Sequence, residues 1–487
     1  MKNEIYKSIL GHLKAIIVGS EYEGHLFAVG GCVRDSNMGN EIKDIDLCID
    51  LPDGGLNFAK WMEEKHFTKG SVVTYPTYGT AMFKLAAFPN IELECVQTRK
   101  EQYHNEGSRN PETTHGTLLE DCMRRDLTIN SLYYDITKDC VIDLTGNGID
   151  DIKNHRIRVT STPDIVYSDD PLRVLRCIRF SSRFGWDIDK ETYDGMIKNV
   201  DRLAIITKER VQDELNKMLL CKNPVMAMEL LKNTGAMKYV IPELIETYDM
   251  TQNAYHDFNT VWEHTMLVIE NMQKTGFYFN SPNKLVLMLS ALLHDIGKIK
   301  ARSVGEDGRV HFYCHELETR LVESILRRLK YSNDVIADVV FLVKNHMRTK
   351  NWMDDCSHMK DKSLRKFQYE CGDKYYFDLL ALIDADNKSH GKEHCLPNQA
   401  QNIDDRTAYM IDDGTDMLEY KLPVDGNDVM AYKGIKPGRE VKEYLDYILK
   451  LCFVNPSISK EECLKAIKNY KIKIKDRKCN FLKFKTI

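Results

Sequence analysis

The spacing of apolar and polar positions changes near residue 160. Before it, the apolar stretches are short and end in turn residues: LFAVGG closes on two glycines, IDLCID alternates, and AMFKLAAF and IELECVQT are typical of strands. VIDLTGNG is typical of one more strand that ends in a turn. After it, DPLRVLRCIRFSSRFGW and KERVQDELNKMLL place apolar residues at helical spacing. The pattern predicts an α/β region followed by helices.

Length and composition narrow the class of protein. A chain of 487 residues predicts three or four domains, and 43% hydrophobic with 29% charged residues is typical of globular proteins. No apolar run reaches the roughly 18 residues of a membrane helix, so no membrane partner is expected. The amphipathic start has no small-residue cleavage site and lacks Arg, and the 14 cysteines form no CxxC pair. These features together predict a cytoplasmic protein with reduced thiols.

The net charge of −5 does not by itself indicate a nucleic-acid partner. The charge is unevenly distributed along the chain, because residues 460–487 are rich in Lys and Arg although the net charge is negative. Such a basic end can follow phosphates or can be a solvated tail, and composition alone leaves both interpretations open.

Acidic residues follow a glycine turn in the N-terminal region. GGCVRD, from Gly30 to Asp35, lies between a strand and a predicted helix, where paired glycines let the backbone approach a triphosphate. Asp44 and Asp46 stand two apart at a strand start, so both carboxylates face one side of the sheet. Glu94, in a later strand, is a third candidate. Three such acids predict a Mg²⁺ site, because like charges need a cation between them.

These segments resemble the head of class II tRNA nucleotidyltransferases, a group in the polymerase β superfamily that also contains bacterial poly(A) polymerases. The resemblance rests on the motifs GGCVRD and KDIDLCID, followed along the chain by YGT and ELECVQTR. Four further segments match in the family's order: RRDLTIN at 124–130, DLTGNG at 143–148 followed by Asp151, DDPLR at 169–173, and KER at 208–210 with Glu214. The one departure is Asp169, where the family usually has Glu.

The resemblance implies roles for individual residues. Asp44, Asp46 and Glu94 are implied as catalytic, the first two as Mg²⁺ ligands. Asp170 and Arg173, three apart on a predicted neck helix, would share a face and select CTP and then ATP by hydrogen bonds to the base. Asp126 and Asn130 would likewise share a helix face. The complete set expected to bind the nucleotide is Gly30, Gly31, Arg34, Asp35, Arg124, Arg125, Asp126, Asn130, Asp170, Arg173, Arg176 and Arg179.

The segment between Arg99 and Arg124 is polar and rich in turn residues. It resembles the family's flexible loop beside the active site, whose movement accompanies the switch from C to A addition. The composition predicts a mobile segment.

A second candidate site follows the apolar helix LVLMLSALL, where His294 and Asp295 stand side by side. With residues up- and downstream, they resemble the ligand series of HD-domain phosphohydrolases, including the HD domain attached to some bacterial tRNA nucleotidyltransferases. The series is His264, His294, Asp295, His315, His346 and Asp386. Asp384 competes for the last position. An imidazole-rich set suits Mn, Ni, Fe or Zn, which could activate water against a phosphoester such as a 2′,3′-cyclic phosphate.

The resemblance implies an α+β protein: a polymerase-β-like nucleotidyltransferase head with a mixed, largely antiparallel sheet, followed by all-α neck, HD and tail domains. The predicted bounds are 1–155 for the head, 156–250 for the neck, 251–400 for the HD domain and 401–487 for the tail. VDGNDVMAYKGIKPGREVKEYLDYIL resembles the family segment that supports the tRNA elbow, and the basic end would contact tRNA backbone.

The expected reaction is template-independent addition of CCA to a tRNA 3′ end from CTP and ATP, with release of pyrophosphate. Three alternatives stay open. They are an enzyme that adds only CC or only A, a bacterial poly(A) polymerase, and an HD phosphohydrolase whose head merely binds RNA. A non-catalytic RNA-binding protein fits least well, because it has no use for paired carboxylates beside a glycine turn.

Overall fold

The computed structural model describes residues 3–102, 112–252, 259–306, 310–468 and 470. It forms two compact units, one of residues 1–246 with 325–331 and one of residues 247–324 with 332–487. The predicted division into four domains is finer than this and stays a prediction. Within the described residues, no helix is long and apolar enough to cross a membrane.

The first unit contains the sheet and the helices that precede and follow it. The strands are β1 Leu26–Val29, β2 Ile45–Ile49, β3 Val73–Tyr75, β4 Thr80–Leu85, β5 Phe88–Gln97, β6 Arg99–Gln102, β7 Glu112–His115, β8 Leu132–Asp135, β9 Cys140–Asp143, β10 Arg156–Ile157 and β11 Asp187–Ile188. The helices are α1 Asn3–Ile17, α2 Gly31–Asn37, α3 Gly54–Glu64, α4 Leu118–Met123, α5 Gly148–Lys153, α6 Pro163–Asp169, α7 Leu172–Phe184, α8 Lys190–Asn199, α9 Lys208–Leu219, α10 Pro224–Asn233 and α11 Met237–Val240.

Seven strands form one sheet in the order β3-β4-β5-β2-β1-β8-β9. Only β2 and β5 pair in parallel, and the other neighbours are antiparallel, so the predicted mixed, largely antiparallel sheet is confirmed. Buried residues of α1 and α3, such as Ile9, Leu13 and Phe58, share a core with the sheet. AMFKLAAF is not one strand, because Ala86 and Ala87 form the turn between β4 and β5.

The segment predicted to be mobile is partly regular. Its ends form an antiparallel ribbon of β6 and β7, and α4 follows directly, so polar composition here does not mean irregular structure. The central residues 103–111 of that prediction lie outside the described part of the chain.

The predicted neck helix is interrupted at its start. Helix α6 ends at Asp169, Asp170 has extended backbone angles of φ −143° and ψ 101°, and α7 begins at Leu172. Pro171 explains the break, since a residue before proline is driven out of helical geometry. Asp170 and Arg173 therefore do not share one helix face, contrary to the prediction. The helical region also holds a two-residue parallel pair, β10 with β11.

In the second unit, the described residues are helical apart from the short antiparallel pair of β12 Arg302–Val304 and β13 Val310–Phe312. Its α18 breaks at Gly372, where φ is +56°. Its helices, with α16 shared between the units, are α12 Val261–Met272, α13 Gly276–Asn280, α14 Lys284–Leu293, α15 Lys298–Ala301, α16 Thr319–Arg328, α17 Asn333–Asn345, α18 Asp361–Asn387, α19 Gln399–Asp412, α20 Gly426–Lys433, α21 Arg439–Cys452 and α22 Lys460–Lys468.

The tail segment forms its own small core. Met417, Val429, Ile448 and Ile467 are buried together, which places α20 to α22 around one apolar centre. Asp425 caps α20 through a capping box, and Gly434 ends that helix with φ +66°. Of the predicted basic end, residues 471–487 lie outside the described residues.

Candidate active site and metal centre

Three carboxylates meet where β2 and β5 run in parallel. Asp46 on β2 stands directly opposite Glu94 on β5, and Asp44 is an exposed residue just before β2. Burial, the charge of Glu94 and then that of Asp44 raise the pKa of Asp46 to about 6, while Arg125 opposes the rise. A group so placed among like charges is stabilised by a cation, so this set fits a divalent metal.

The glycine turn lies against the same carboxylates. Gly30 has φ +76°, and a side chain on it would approach the Asn130 carbonyl at 3.7 Å, Arg125 Nη1 at 3.8 Å and Asp46 Oδ2 at 3.9 Å. The positive φ is what favours glycine here, and the three distances show that the turn lies within ordinary contact distance of Asp46 and Arg125. The Gly30 N–H donates to the Leu132 carbonyl at 3.1 Å, so this amide is already satisfied. The nucleotide contacts predicted for Gly30 and Gly31 stay predictions.

Helix α2 after the turn carries a buried ion pair. Arg34 donates through Nε and Nη2 to the two oxygens of Asp35, both at 2.8 Å, and through Nη1 to Asn130 Oδ1 at 2.5 Å. The guanidinium also lies 5.3 Å from the ring centre of Phe180 and 5.2 Å from that of Phe184. Arg34 and Asp35 therefore join α2 to α7.

Asp126 and Asn130 are neighbours, but not on an α-helix. Asn130 ends a 3₁₀ turn that begins at Thr128, and its Nδ2 donates to Asp126 Oδ1 at 3.2 Å. Arg176 approaches Asp126 Oδ2 with Nε at 2.7 Å. Burial favours a raised pKa for Asp126, but the Arg176 guanidinium outweighs it and the pKa is lowered. The predicted proximity is correct, and only the element differs.

Asp121, which sequence reasoning missed, organises the two arginines of RRD. Its side chain is fully buried; Oδ1 accepts from Arg124 Nη2 at 2.6 Å and Oδ2 accepts from Arg125 Nη2 at 2.9 Å and from the Tyr133 hydroxyl at 2.5 Å. Burial acts to raise the pKa of Asp121, yet the two guanidiniums hold it well below its usual range. The signal was the i,i+3 and i,i+4 spacing from Asp121 to the arginine pair on and after α4.

Asp170 and Arg173, which the sequence predicts to select the base, contact other groups of the protein. Asp170 Oδ2 accepts from Arg210 Nη2 at 2.7 Å. Buried Arg173 donates to the carbonyls of Arg124 at 2.5 Å and Val166 at 3.2 Å. Further along α7, Arg179 Nη1 pairs with buried Glu214 at 3.1 Å.

The histidine series converges in the second unit. His264 on α12 points Nε2 at Asp386 Oδ1 on α18, 3.1 Å away, and lies 3.3 Å from Nε2 of His294, which follows α14. Asp295 Oδ2 is 3.2 Å from His294 Nε2, and Asp295 Oδ1 is 2.8 Å from His315 Nε2. Within the part of the chain that the structure describes, two groups have metal-ligand spacing: His264, His294 and Asp295, and Asp295, His315 and His346.

The orientation of the imidazoles is fixed from outside the cluster. The Nδ1 atoms of His264, His294, His315 and His346 lie within 2.6 to 3.2 Å of backbone carbonyls. Each Nδ1 therefore carries the proton, and each Nε2 lone pair faces inward, the usual arrangement of metal-binding histidines. Among the described residues, buried His346 Nε2 has no hydrogen-bonding partner, and burial lowers the pKa of His346 to about 3. The donor set fits a divalent transition metal.

Packing around the histidine cluster explains the glycine at position 297 and distinguishes Asp386 from Asp384. A side chain at Gly297 would come within 2.1 Å of the His315 carbonyl, so the glycine lets the turn bearing His315 reach the cluster. Asp384 pairs with Lys388 at 2.7 Å and lines a separate cavity, whereas Asp386 faces the histidines. Asp386 is thus the better placed of the two candidates.

Family models match three parts of the chain. Residues 26–158 match the poly A polymerase head domain, residues 185–247 the probable RNA and SrmB-binding site of polymerase A, and residues 261–392 the HD domain. Nucleotidyltransferase and HD domains typically use divalent metals, in agreement with the two clusters described above.

Curated relatives carry related names. The tRNA nucleotidyltransferase cca1 of Schizosaccharomyces pombe is 34% identical over 42% of this chain, a match that spans less than half, 43%, of that relative. The mitochondrial CCA tRNA nucleotidyltransferase of Saccharomyces cerevisiae is 26% identical over 90% of this chain and 87% of its own length. The multifunctional CCA protein of Actinobacillus pleuropneumoniae is 30% identical over 66% of this chain and 75% of its own length.

Solved structures share the fold. The CCA-adding enzyme of Bacillus stearothermophilus in complex with CTP has a TM-score of 0.65 at 20% identity, covering 95% of this chain and 96% of that one. The Thermotoga maritima CCA-adding enzyme complexed with tRNA has a TM-score of 0.60 at 20% identity, covering 94% of each chain. With the head, its carboxylates and the histidine cluster in place, the chain belongs to the class II tRNA nucleotidyltransferases and carries an HD domain.

Proposed function

We propose that this protein adds CCA to tRNA 3′ ends, using CTP and ATP and releasing pyrophosphate. The observation that carries the proposal is the carboxylate set of Asp44, Asp46 and Glu94 beside the Gly30 turn, with Arg125 next to it. In the reaction the tRNA 3′ oxygen bonds to the α-phosphorus while the bond from that phosphorus to the α–β bridging oxygen breaks. Pyrophosphate leaves with the bridging oxygen and its electron pair, and the hydroxyl proton passes to water.

The residues divide this work between charge and position. Asp44 and Asp46 would hold Mg²⁺, which supplies charge neutralisation to the triphosphate and to the attacking oxygen, and Glu94 would add negative charge. Arg124 and Arg125, held by Asp121, would face phosphate oxygens with planar donor forks. Asp170 and Arg173 are the proposed base-selecting pair, and nucleotide entry would require Asp170 to exchange its contact with Arg210.

Product length tests the reaction. The purified full chain is incubated with tRNA lacking CCA, labelled CTP or ATP and Mg²⁺, and we expect growth by three nucleotides that requires both nucleotides and then stops. Growth by two C residues, by one A after CC, or by a long A ladder would replace full CCA addition with the corresponding alternative. A tRNA that already ends in CCA is the control and should not grow.

We further propose that the histidine cluster is a phosphohydrolase site, with Mn, Ni, Fe or Zn as its metal and a 2′,3′-cyclic phosphate as its substrate class. His264, His294, Asp295 and Asp386 would hold the metal with His315 and His346 completing the set, and the metal would supply an activated water. The inward-facing Nε2 atoms support this.

We also propose that the protein is located in the cytoplasm, as the sequence predicts. Because relatives include mitochondrial proteins, cell fractionation is the test of this location.

Asp295→Asn separates the two activities. Asp295 belongs to both candidate ligand groups, so we expect the hydrolysis of a 2′,3′-cyclic phosphate end to its phosphomonoester to fall at least a hundredfold, in line with the several kcal/mol a catalytic metal supplies. Nucleotide addition should stay within about twofold of wild type, because the carboxylates of the head are untouched. Equal loss of both activities would indicate general damage, and unchanged opening of the cyclic phosphate would exclude the cluster as the hydrolytic site.

A further inference from the structure

Two lysine ammonium groups contact the carboxylates of the histidine cluster, and neither lysine was singled out from the sequence as a site residue. Lys298 Nζ lies 2.6 Å from Asp295 Oδ2 and 2.6 Å from Gln252 Oε1, and its side chain is buried. Lys350 Nζ lies 2.8 Å from Asp386 Oδ2 and 2.9 Å from Asn387 Oδ1. Each lysine therefore binds one oxygen of a different carboxylate.

Each contact leaves the second carboxylate oxygen facing the imidazoles. With Oδ2 held by a lysine, Asp295 Oδ1 stays 2.8 Å from His315 Nε2 and Asp386 Oδ1 stays 3.1 Å from His264 Nε2. The lysines come from separate segments, Lys298 at the start of α15 and Lys350 in the turn after α17. A lysine thus holds one oxygen of each carboxylate, and on Asp295 that oxygen, Oδ2, also lies 3.2 Å from His294 Nε2.

The Lys350 ammonium is satisfied on all three N–H positions. Besides Asp386 and Asn387, it lies 3.4 Å from Nε2 of His390. The Nδ1 of His390 is 2.7 Å from the Asp386 carbonyl, so Nδ1–H donates there and Nε2 is left as an acceptor for the ammonium. Three fixed acceptors for three donors mark a side chain that holds its neighbours in place.

The charges balance without any metal. Two carboxylates and two ammonium groups sum to zero, and the imidazoles are neutral when Nδ1 alone carries a proton. A buried carboxylate without a partner is costly, whereas a paired and hydrogen-bonded one is tolerated. A divalent ion bound at the cluster would give the site a net positive charge. Such a charge suits an anionic phosphate in the adjoining cavity of about 510 Å³, which both lysines line.

We propose that Lys298 and Lys350 are positioning residues that act as internal counter-ions, holding Asp295 and Asp386 in ligand orientation before a metal binds. The inference rests on the proposed metal site of the HD domain. When one of these lysines is removed, only a bound metal can neutralise the charge of its carboxylate. The stability of the folded protein should then depend on the presence of metal.

The test measures metal binding and stability of the full chain, not activity. Asp44→Asn and Asp46→Asn are combined as the background, so that Mn²⁺ binds only at the histidine cluster. Lys350→Met and Lys298→Met are compared with Lys388→Met, which removes a lysine–aspartate pair on and just after α18 without touching a proposed ligand. Mn²⁺ affinity comes from titration calorimetry and Tm from scanning calorimetry, with EDTA or with saturating Mn²⁺.

For Lys350→Met and Lys298→Met we expect the Tm in EDTA to fall by about 5–10 °C, as for a broken buried pair in a unit of this size. Saturating Mn²⁺ should restore most of the loss, and the Kd for Mn²⁺ should fall about tenfold, because binding now relieves an uncompensated carboxylate. A variant that is unfolded in EDTA but folded with Mn²⁺ supports the inference equally. Lys388→Met should match the background in both measurements.

Three results would overturn the inference. Equal Tm losses with and without Mn²⁺, at unchanged Kd, would mean ordinary packing. Weaker Mn²⁺ binding would mean that the lysines serve the metal-bound state. Absence of Mn²⁺ binding in the background protein, while nucleotide addition by the wild type is intact, would reject the metal site of the HD domain without affecting the proposed function of the head.

Discussion

Asp46→Asn is expected to reduce nucleotide addition about a thousandfold while leaving the fold intact. Asp46 lies between Asp44 and Glu94 and is the least exposed of the three. A metal that neutralises charge in phosphoryl transfer contributes several kcal/mol to transition-state stability, and each 1.36 kcal/mol is tenfold in rate. Single-turnover addition of labelled CTP to tRNA lacking CCA measures the loss, and elevated Mg²⁺ should restore little of it.

The same substitution is expected to stabilise the metal-free protein at neutral pH. The pKa of Asp46 is raised to about 6 by burial and by Glu94, so the folded state binds a proton more tightly than the unfolded chain does. The wild type therefore loses stability as pH rises from about 4 to 6, and the loss persists above that range. Asn carries no charge, so Tm in EDTA should exceed the wild-type value at pH 7.5 and match it near pH 4.

Asp53→Asn is the matched control for both effects. Asp53 is an exposed acid beyond the other end of β2, and its φ of +52° is one that asparagine readily adopts. This variant should add nucleotides at the wild-type rate. A substantial loss of nucleotide addition in Asp53→Asn would mean that the effect is not specific to the carboxylate set. Near-normal nucleotide addition by Asp46→Asn would mean that the carboxylates have no part in the proposed mechanism.

The sequence predicted the carboxylate site because strands impose a simple rule. Residues two apart on a strand share a face, so the sequence predicted Asp44 and Asp46 side by side; in the structure only Asp46 is on β2, and Asp44 lies just before it. That Asp46 lies directly opposite Glu94 required the register of β2 on β5, which the sequence of two residues 48 positions apart does not indicate. The mixed sheet was predicted correctly from the resemblance, while the boundary between β4 and β5 at Ala86 was missed because an apolar turn gives no polar signal.

Other features depended on contacts that spacing cannot encode. Asp170 and Arg173 have helical spacing, but Pro171 breaks the helix between them and their partners come from elsewhere in the fold. The histidine series was recognisable by its order. His264, His294, His346 and Asp386 lie on or at the end of helices, whereas His315 lies in a 3₁₀ turn after β13. Lys350 carried no such mark, since its contacts with Asp386 and Asn387 join residues more than 35 positions apart.

Asp121→Asn is expected to be the most destabilising single substitution in the head. The fully buried Asp121 carboxylate accepts from two guanidiniums and the Tyr133 hydroxyl. Breaking a buried pair from one side costs about 3–5 kcal/mol, because the arginines keep their charge without its counterpart. The pKa of Asp121 is lowered by Arg125 and Arg124 against the effect of burial, so its contribution is present at neutral pH and is lost only as pH falls below the ordinary range of a carboxyl.

Activity should respond in a specific way to the same change. Arg125 Nη1 lies beside Gly30 and the Arg125 charge acts on Asp46, so a displaced guanidinium weakens triphosphate binding and we expect KM for CTP and ATP to rise more than kcat falls. Asp150→Asn, which removes an exposed pair with Lys153 on α5, should change neither stability nor KM. Asp121→Asn could instead have the same midpoint of unfolding by denaturant as the wild type and the same KM for CTP and ATP. In that case Asp121 does not hold the arginines in place, and the backbone of α4 alone must fix their position.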